Sequence, residues 1–193
     1  LSGDVALAAE AGPDHALILI DRFPNATLTY VSDAPYRVSA QANVSTGFAS
    51  NPHGIVRLND GRYYVTRYER NATPSATPDD LDEGADLLIM GSDGQTPVGR
   101  VPLSDPEVTN VNPRPSQIEV IGEHAWVTLG NLSDDFSSGS AGEVVLVSTA
   151  DDAVVLRYTL EGLANCGGLA SAYDGSGAWV TCSGVFADGP EQQ

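Results

Sequence analysis

The sequence predicts an all-β fold, a β-propeller of four-stranded antiparallel blades with about three blade-equivalents in the chain. Two observations predict it. The first is a hairpin that occurs three times. Tyr63-Tyr64-Val65-Thr66 follows a turn at Asn59-Asp60-Gly61, Ala125-Trp126-Val127-Thr128 follows Gly122-Glu123, and Ala178-Trp179-Val180-Thr181 follows Asp174-Gly175-Ser176-Gly177. The Val-Thr pairs start at Val65, Val127 and Val180, 62 and 53 residues apart, and a strand-rich repeat of that length points to propeller blades. The second is that no stretch of useful length places its apolar residues at a helical period.

Taken in order, residues 1–14 are small, acidic and punctuated by Gly and Pro, a loosely held lead-in. Ala16 to Asp21 is a continuous apolar run, as a strand buried on both faces requires. Phe23-Pro24-Asn25 turns the chain into Thr27–Val31, rich in β-favouring residues, and a polar connection runs from Asp33 to Pro52. His53–Leu58 and Arg62–Tyr68 form the first repeated hairpin. An acidic loop follows, Glu69 to Ala85, then two strands, Asp86–Met90 and Val98–Leu103. The second unit repeats the layout: Gln117–Ile121 with Ala125–Leu129, an acidic Ser/Gly loop over 131–142, then Glu143–Val147 and Val154–Leu160.

This reading divides the chain into outer strands of a split blade at 15–32, blades at 51–104 and 112–161, and the inner hairpin of a split blade at 165–184. Three blade-equivalents are too few to close a ring, which typically takes about 4–8, and open strand edges attract other chains. The expected partner is a second polypeptide that completes the propeller, further sequence serving the same end, or a second copy in a homodimer.

Composition narrows the function classes. Of the 193 residues 26 are acidic and nine basic, every basic one an Arg, for a net charge of −17. Such a surface repels phosphate backbones and anionic membrane faces, and no apolar run is long enough to span a bilayer. The cysteines place the chain. Cys166 and Cys182 are symmetric about the turn near Asp174, which sets them opposite each other in an antiparallel pair. A disulfide there implies an extracytoplasmic setting, periplasm, cell surface or medium; two buried thiols are the alternative.

Pro52 to Thr66, with its strand, Asn-Asp-Gly turn and Tyr-Val-Thr, resembles the repeat of surface-layer-type YVTN β-propellers. Trp126-Val127-Thr128 and Trp179-Val180-Thr181 are looser copies. The position after Thr, Asn in that family, is Arg67, Leu129 and Cys182 here. The resemblance implies an extracytoplasmic binding or surface protein of bacterial type, more a binding module than an enzyme.

Candidate site residues follow from the repeat. Asn51, Asn112 and Asn165 precede the three hairpins, beside His53 and Arg114, and Arg67 joins them at the rim of the central channel. Amides and basic side chains converging there suit a small polar or anionic ligand; equally, Asn caps turns by bonding backbone. Asp79, Asp80, Asp82, Glu83 and Asp86 form an acidic stretch with the oxygen chemistry of Ca²⁺ but without EF-hand spacing; a solvated loop accounts for it too. No G-x-S-x-G, H-E-x-x-H or phosphate-binding glycine loop is present. The four N-x-S/T sequons, at Asn25, Asn43, Asn71 and Asn131, matter only in a eukaryotic secretory route. The function expected is a binding or interaction module working through its loop face. The competing expectation is part of a propeller enzyme of lactonase, hydrolase or quinoprotein type, with Ca²⁺ or an organic cofactor over the channel.

Overall fold

The computed structural model describes residues 3–8, 11, 15–77, 81–174 and 177–185. Fourteen strands and no helix are present among them. They fall into two compact units, Leu1–Val101 and Pro102–Gln193.

The first unit holds two four-stranded antiparallel meanders. One comprises β1 (Val5–Leu7), β2 (Leu17–Asp21), β3 (Thr27–Ser32) and β4 (Arg37–Asn43). The other comprises β5 (Pro52–Arg57), β6 (Tyr63–Arg70), β7 (Gly84–Met90) and β8 (Pro97–Pro102). They share one core: Ile18, Ile20, Leu28 and Tyr30 pack with Ile55, Tyr63, Val65, Leu88 and Met90. Tyr30 ties the sheets further, its hydroxyl donating to the Gly94 carbonyl at 2.6 Å and its ring meeting Tyr63 edge-on. Burial raises the pKa of that hydroxyl, with Tyr63 and Asp93 adding to the rise, so it stays a donor.

The first sheet corrects the sequence reading. Residues 15–32 are not an outer pair of strands but the middle of a complete four-stranded sheet. The lead-in contributes β1, in register Val5↔Asp21 to Leu7↔Leu19, anchored by an ion pair between Arg22 and Asp4. The supposed polar connection contributes β4, paired from Thr27↔Asn43 to Ser32↔Arg37. Both are edge strands. β1 is too short to show a period. β4 does alternate, Val38, Ala40 and Ala42 against Arg37, Ser39, Gln41 and Asn43, but its face is small and buries Ala42 alone, so it reads as a polar connection.

In the second unit, β9 (Pro115–Ile121), β10 (His124–Leu129), β11 (Gly142–Ser148) and β12 (Ala153–Leu160) form a third four-stranded meander. β11 is buried along its length because it lies mid-sheet with Val and Leu on both faces. β13 (Cys166–Ser171) and β14 (Ala178–Cys182) make a two-stranded hairpin whose β13 packs against β9. The Ser171 backbone N–H donates to Glu119 at 2.8 Å across that contact. Cys166 and Cys182 are register partners and are joined by a disulfide. Three four-stranded antiparallel sheets plus a hairpin is the architecture of a partial β-propeller.

Candidate functional site

The three repeated hairpins share a local design finer than their sequence motif. Each opens at a residue with a left-handed backbone: Asn51 (φ 50°), Arg114 (φ 53°) and Asn165 (φ 53°). The carbonyl of each accepts from the backbone N–H two residues after the motif Thr, from Tyr68, Gly130 and Ser183 respectively, at 3.1–3.3 Å. The preceding carbonyl, of Ser50, Pro113 or Ala164, accepts from the next amide along, that of Glu69, Asn131 or Gly184. Three residues later a β-bulge follows, and the motif Thr enters. The Thr66 hydroxyl accepts from the Gly54 backbone N–H at 2.8 Å, and the Thr128 hydroxyl from Gln117 at 3.1 Å. At Gly168, opposite Thr181, an added Cβ would lie 2.1 Å from the Thr181 hydroxyl, so a side chain there would force Thr181 to turn.

This register corrects one assignment. Arg114, not Asn112, holds the place of Asn51 and Asn165. Two Xaa-Pro pairs stand in tandem, Asn112-Pro113 and Arg114-Pro115, and the hydrogen bonds select the second. Asn112 instead forms an isolated bridge with Leu132. Asn sits easily at positive φ, whereas Arg there is costly and needs compensation.

The compensation is visible. The Arg114 side chain is buried, stacks its guanidinium 4.0 Å over the Phe136 ring, and donates to the carbonyls of Ser133 and Asp134, both at 3.2 Å. It therefore organises the acidic loop 131–141 from beneath. Within that loop Asp135 accepts from the Ser133 hydroxyl at 2.6 Å and from the Ser137 backbone and hydroxyl, which draws its pKa down to about 2. Asn131, one of the sequons, is buried and donates to the Ala141 carbonyl at 2.9 Å.

Arg67 has the corresponding task in the first unit, and this is a second correction. It does not face an open rim: its side chain is 0% exposed. It donates to both carboxylate oxygens of Asp86, also 0% exposed, at 2.8 and 2.7 Å. Its third nitrogen donates to the Thr46 hydroxyl and to the Leu81 carbonyl, each at 2.8 Å. Leu81 lies at the far end of the long acidic loop. Gly84, at φ 70°, lets that loop pass: a Cβ there would sit 2.3 Å from the Glu69 carbonyl oxygen and against the Phe48 ring.

The acidic stretch is thus divided. Asp79 and Asp80 lie outside the described residues. Asp86 is held by Arg67 and by Arg100 at 3.4 Å, Glu83 by Arg100 at 2.8 Å, and Asp82 accepts from Asn71 and from the Ser75 backbone. Among the described residues no three His, Cys, Asp or Glu side chains come together as a cation site. His53 stacks flat on Tyr68, ring centres 4.3 Å apart, and Asn165 donates to the Ser183 hydroxyl at 2.7 Å. Asn51, His53 and Arg67 belong to the first unit; Asn112, Arg114 and Asn165 belong to the second.

Comparison with solved structures finds the same fold in the hydrazine synthase of Kuenenia stuttgartiensis, with a TM-score of 0.59 and 14% sequence identity. The match covers 86% of this chain and 40% of that one, so the chain spans well under half the length of its structural neighbour. At that identity the likeness concerns the fold alone. No protein-family model matches the chain, and no curated protein matches it. The YVTN resemblance accordingly rests on the hairpin motif.

Proposed function

We propose that this chain is an extracytoplasmic β-propeller segment that binds a basic partner through its long, acidic second-to-third-strand loops. One observation carries the reading: in each unit a buried arginine at the hairpin's mouth is spent on holding that loop. Arg67 fixes Leu81, and Arg114 fixes Ser133, Asp134 and Phe136. A loop that needs only to connect two strands gains nothing from a desolvated guanidinium beneath it. A loop that must present carboxylates in one arrangement gains preorganisation, which lowers the entropy cost of binding.

The charge of −17 makes a cationic partner the favoured class, since complementarity accelerates encounter and rejects anions. The Cys166–Cys182 disulfide suits an oxidising compartment. Among the described residues no helix is long and apolar enough to cross a membrane. The finished propeller would draw its remaining blades from polypeptide outside these 193 residues.

The test is titration of an oligo-lysine decapeptide at physiological ionic strength against three proteins. These are the native chain, D134N/D135N in the loop, and a charge-matched control, D151N/D152N, in the β11–β12 turn. The reading expects the loop variant to lose at least tenfold in affinity while the control keeps its binding. Equal losses would reduce the effect to net charge and sink the proposal.

A further inference from the structure

Arginine is scarce and acid abundant in this chain, and most arginines are spent on carboxylates. Arg22, Arg62, Arg67, Arg100 and Arg157 each form an ion pair. Arg57, on β5, does not. It is half-buried, its Nε is sealed from solvent, and among the described residues none of its N–H groups finds an acceptor. Arg37 has no acceptor either, but it is exposed and water serves it. A partly desolvated guanidinium without an acceptor costs free energy that the fold does not recover, and such groups call for an explanation outside folding. The surroundings of Arg57 supply one. Its guanidinium reaches the β5–β6 turn, where a Cβ added at Gly61 would lie 3.5 Å from Nη2 and 3.6 Å from the Ser92 Cβ of the β7–β8 turn. Gly61, at φ 92°, keeps that space free of a side chain. Ser92 is exposed, and its hydroxyl has no partner among the described residues. The two neighbouring acids are committed elsewhere. Asp60 accepts from Arg62 at 2.7 Å, and Asp93 accepts from the Thr96 hydroxyl at 2.6 Å and from the Gln95 and Thr96 amides.

We propose that Arg57 and Ser92 bind one carboxylate across the two turns of sheet β5–β8. The terminal guanidinium nitrogens donate to the carboxylate oxygens, and the Ser92 hydroxyl donates to the nearer one. Net charge selects the class of anion. At −17 the chain repels a doubly charged phosphate about twice as strongly as a singly charged carboxylate. A small organic acid and the C-terminus of a peptide offer the same group, and either can fill the site. The two turns lie at the end of the meander opposite the acidic β6–β7 loop. The inference is therefore independent of whether the loops bind a basic partner.

The experiment follows the Arg57 Nε–H and Gly61 amide signals of the full chain by NMR, at neutral pH and at constant ionic strength set with chloride. The titrants are acetate, triglycine, triglycine amide and inorganic phosphate. Acetate, triglycine or both are expected to shift the two signals saturably. Acetate alone assigns the carboxylate to a small acid, and triglycine alone assigns it to a peptide C-terminus. R57Q is expected to abolish the Gly61 shift, while R37Q, which removes the same charge from an exposed site, keeps it. S92A is expected to weaken binding about fivefold, the worth of one hydrogen bond. Because Ser92 lies in an exposed turn, S92A tests the site even if R57Q fails to fold. Shifts that never saturate, a Gly61 shift that survives R57Q, or binding unchanged in S92A overturns the proposal. Saturation by triglycine amide, or tighter binding of phosphate, overturns it as well, since the carboxylate is then not what is recognised.

Discussion

Arg67 and Asp86 are register partners on β6 and β7, and both ends of their bidentate pair are sealed from solvent. Removing one partner leaves a buried charge with nothing to offset it, a loss of about 3–5 kcal/mol in comparable cases. Asp86→Asn is expected to fall in that range, the remaining Thr46 and Leu81 acceptors being neutral. Urea unfolding checks it. A loss under about 1 kcal/mol would mean that water reaches the pair.

That pair also shows what a sequence conceals. The hairpins were legible because Asn-Asp-Gly and Asp-Gly turns stand between short β-favouring runs, a local signal. The cysteine pairing was legible for the same reason, since both residues lie in one hairpin. Arg67 was not, because its partner lies 19 residues on, past a loop, and an Arg after a conserved-looking motif reads as easily as a ligand contact. The usable signal was the departure from Asn at the position after Thr. Arg67 and Cys182 both fill it, and each makes a cross-strand tie, one ionic and one covalent. Strand β1, three residues long, left no such trace, and the alternation of β4, Val38, Ala40 and Ala42 among polar residues, rests on small side chains with little burial and passes for a connection.

The disulfide closes a loop of 16 residues. By chain entropy such a crosslink contributes about 3 kcal/mol. The double variant C166S/C182S is expected to lose roughly that amount, with the loss confined to β13 and β14. Hydrogen exchange resolves the location: β2 and β3 amides should keep their protection while those of β14 lose it.

Gly142 exists to admit the sulfur. A Cβ at this position would lie 2.4 Å from the Cys166 Sγ and 2.9 Å from its Cβ. Gly142→Ala is expected to cost about 1–3 kcal/mol by overpacking. Gly177→Ala, with no atom within 4 Å of the added methyl, serves as the control and should be nearly neutral. Thermal melts of the two variants compare them directly.

Acid should loosen the turns before the sheets. Asp135 has its pKa lowered from 3.8 to about 2 by the Ser133 and Ser137 hydrogen bonds, and Asp93 is lowered chiefly by the Thr96 hydroxyl. A carboxylate depressed on folding stabilises above its unfolded pKa, and that stabilisation fades as pH falls through the folded value. The 133–138 turn is therefore expected to open between about pH 4 and pH 2. Carboxyl chemical shifts followed by NMR would show it, and a midpoint for Asp135 near 4 would contradict the hydrogen-bonded turn.

The Thr of the repeated motif should matter for its hydroxyl rather than its β-branched shape. Thr66 and Thr128 are fully buried, and their oxygens are the acceptors for the Gly54 and Gln117 amides freed by the bulge. Thr→Val keeps the volume but orphans an N–H, buried at Gly54 and part-buried at Gln117, a penalty of about 1–3 kcal/mol where the group is buried and smaller at Gln117. Thr→Ser keeps the acceptor and gives up one methyl, about 1 kcal/mol by transfer. At both positions Val is thus expected to destabilise more than Ser, although Val is the better strand former. The reverse order at either site would mean that strand propensity, and not the bulge's orphaned amide, selects threonine in this repeat.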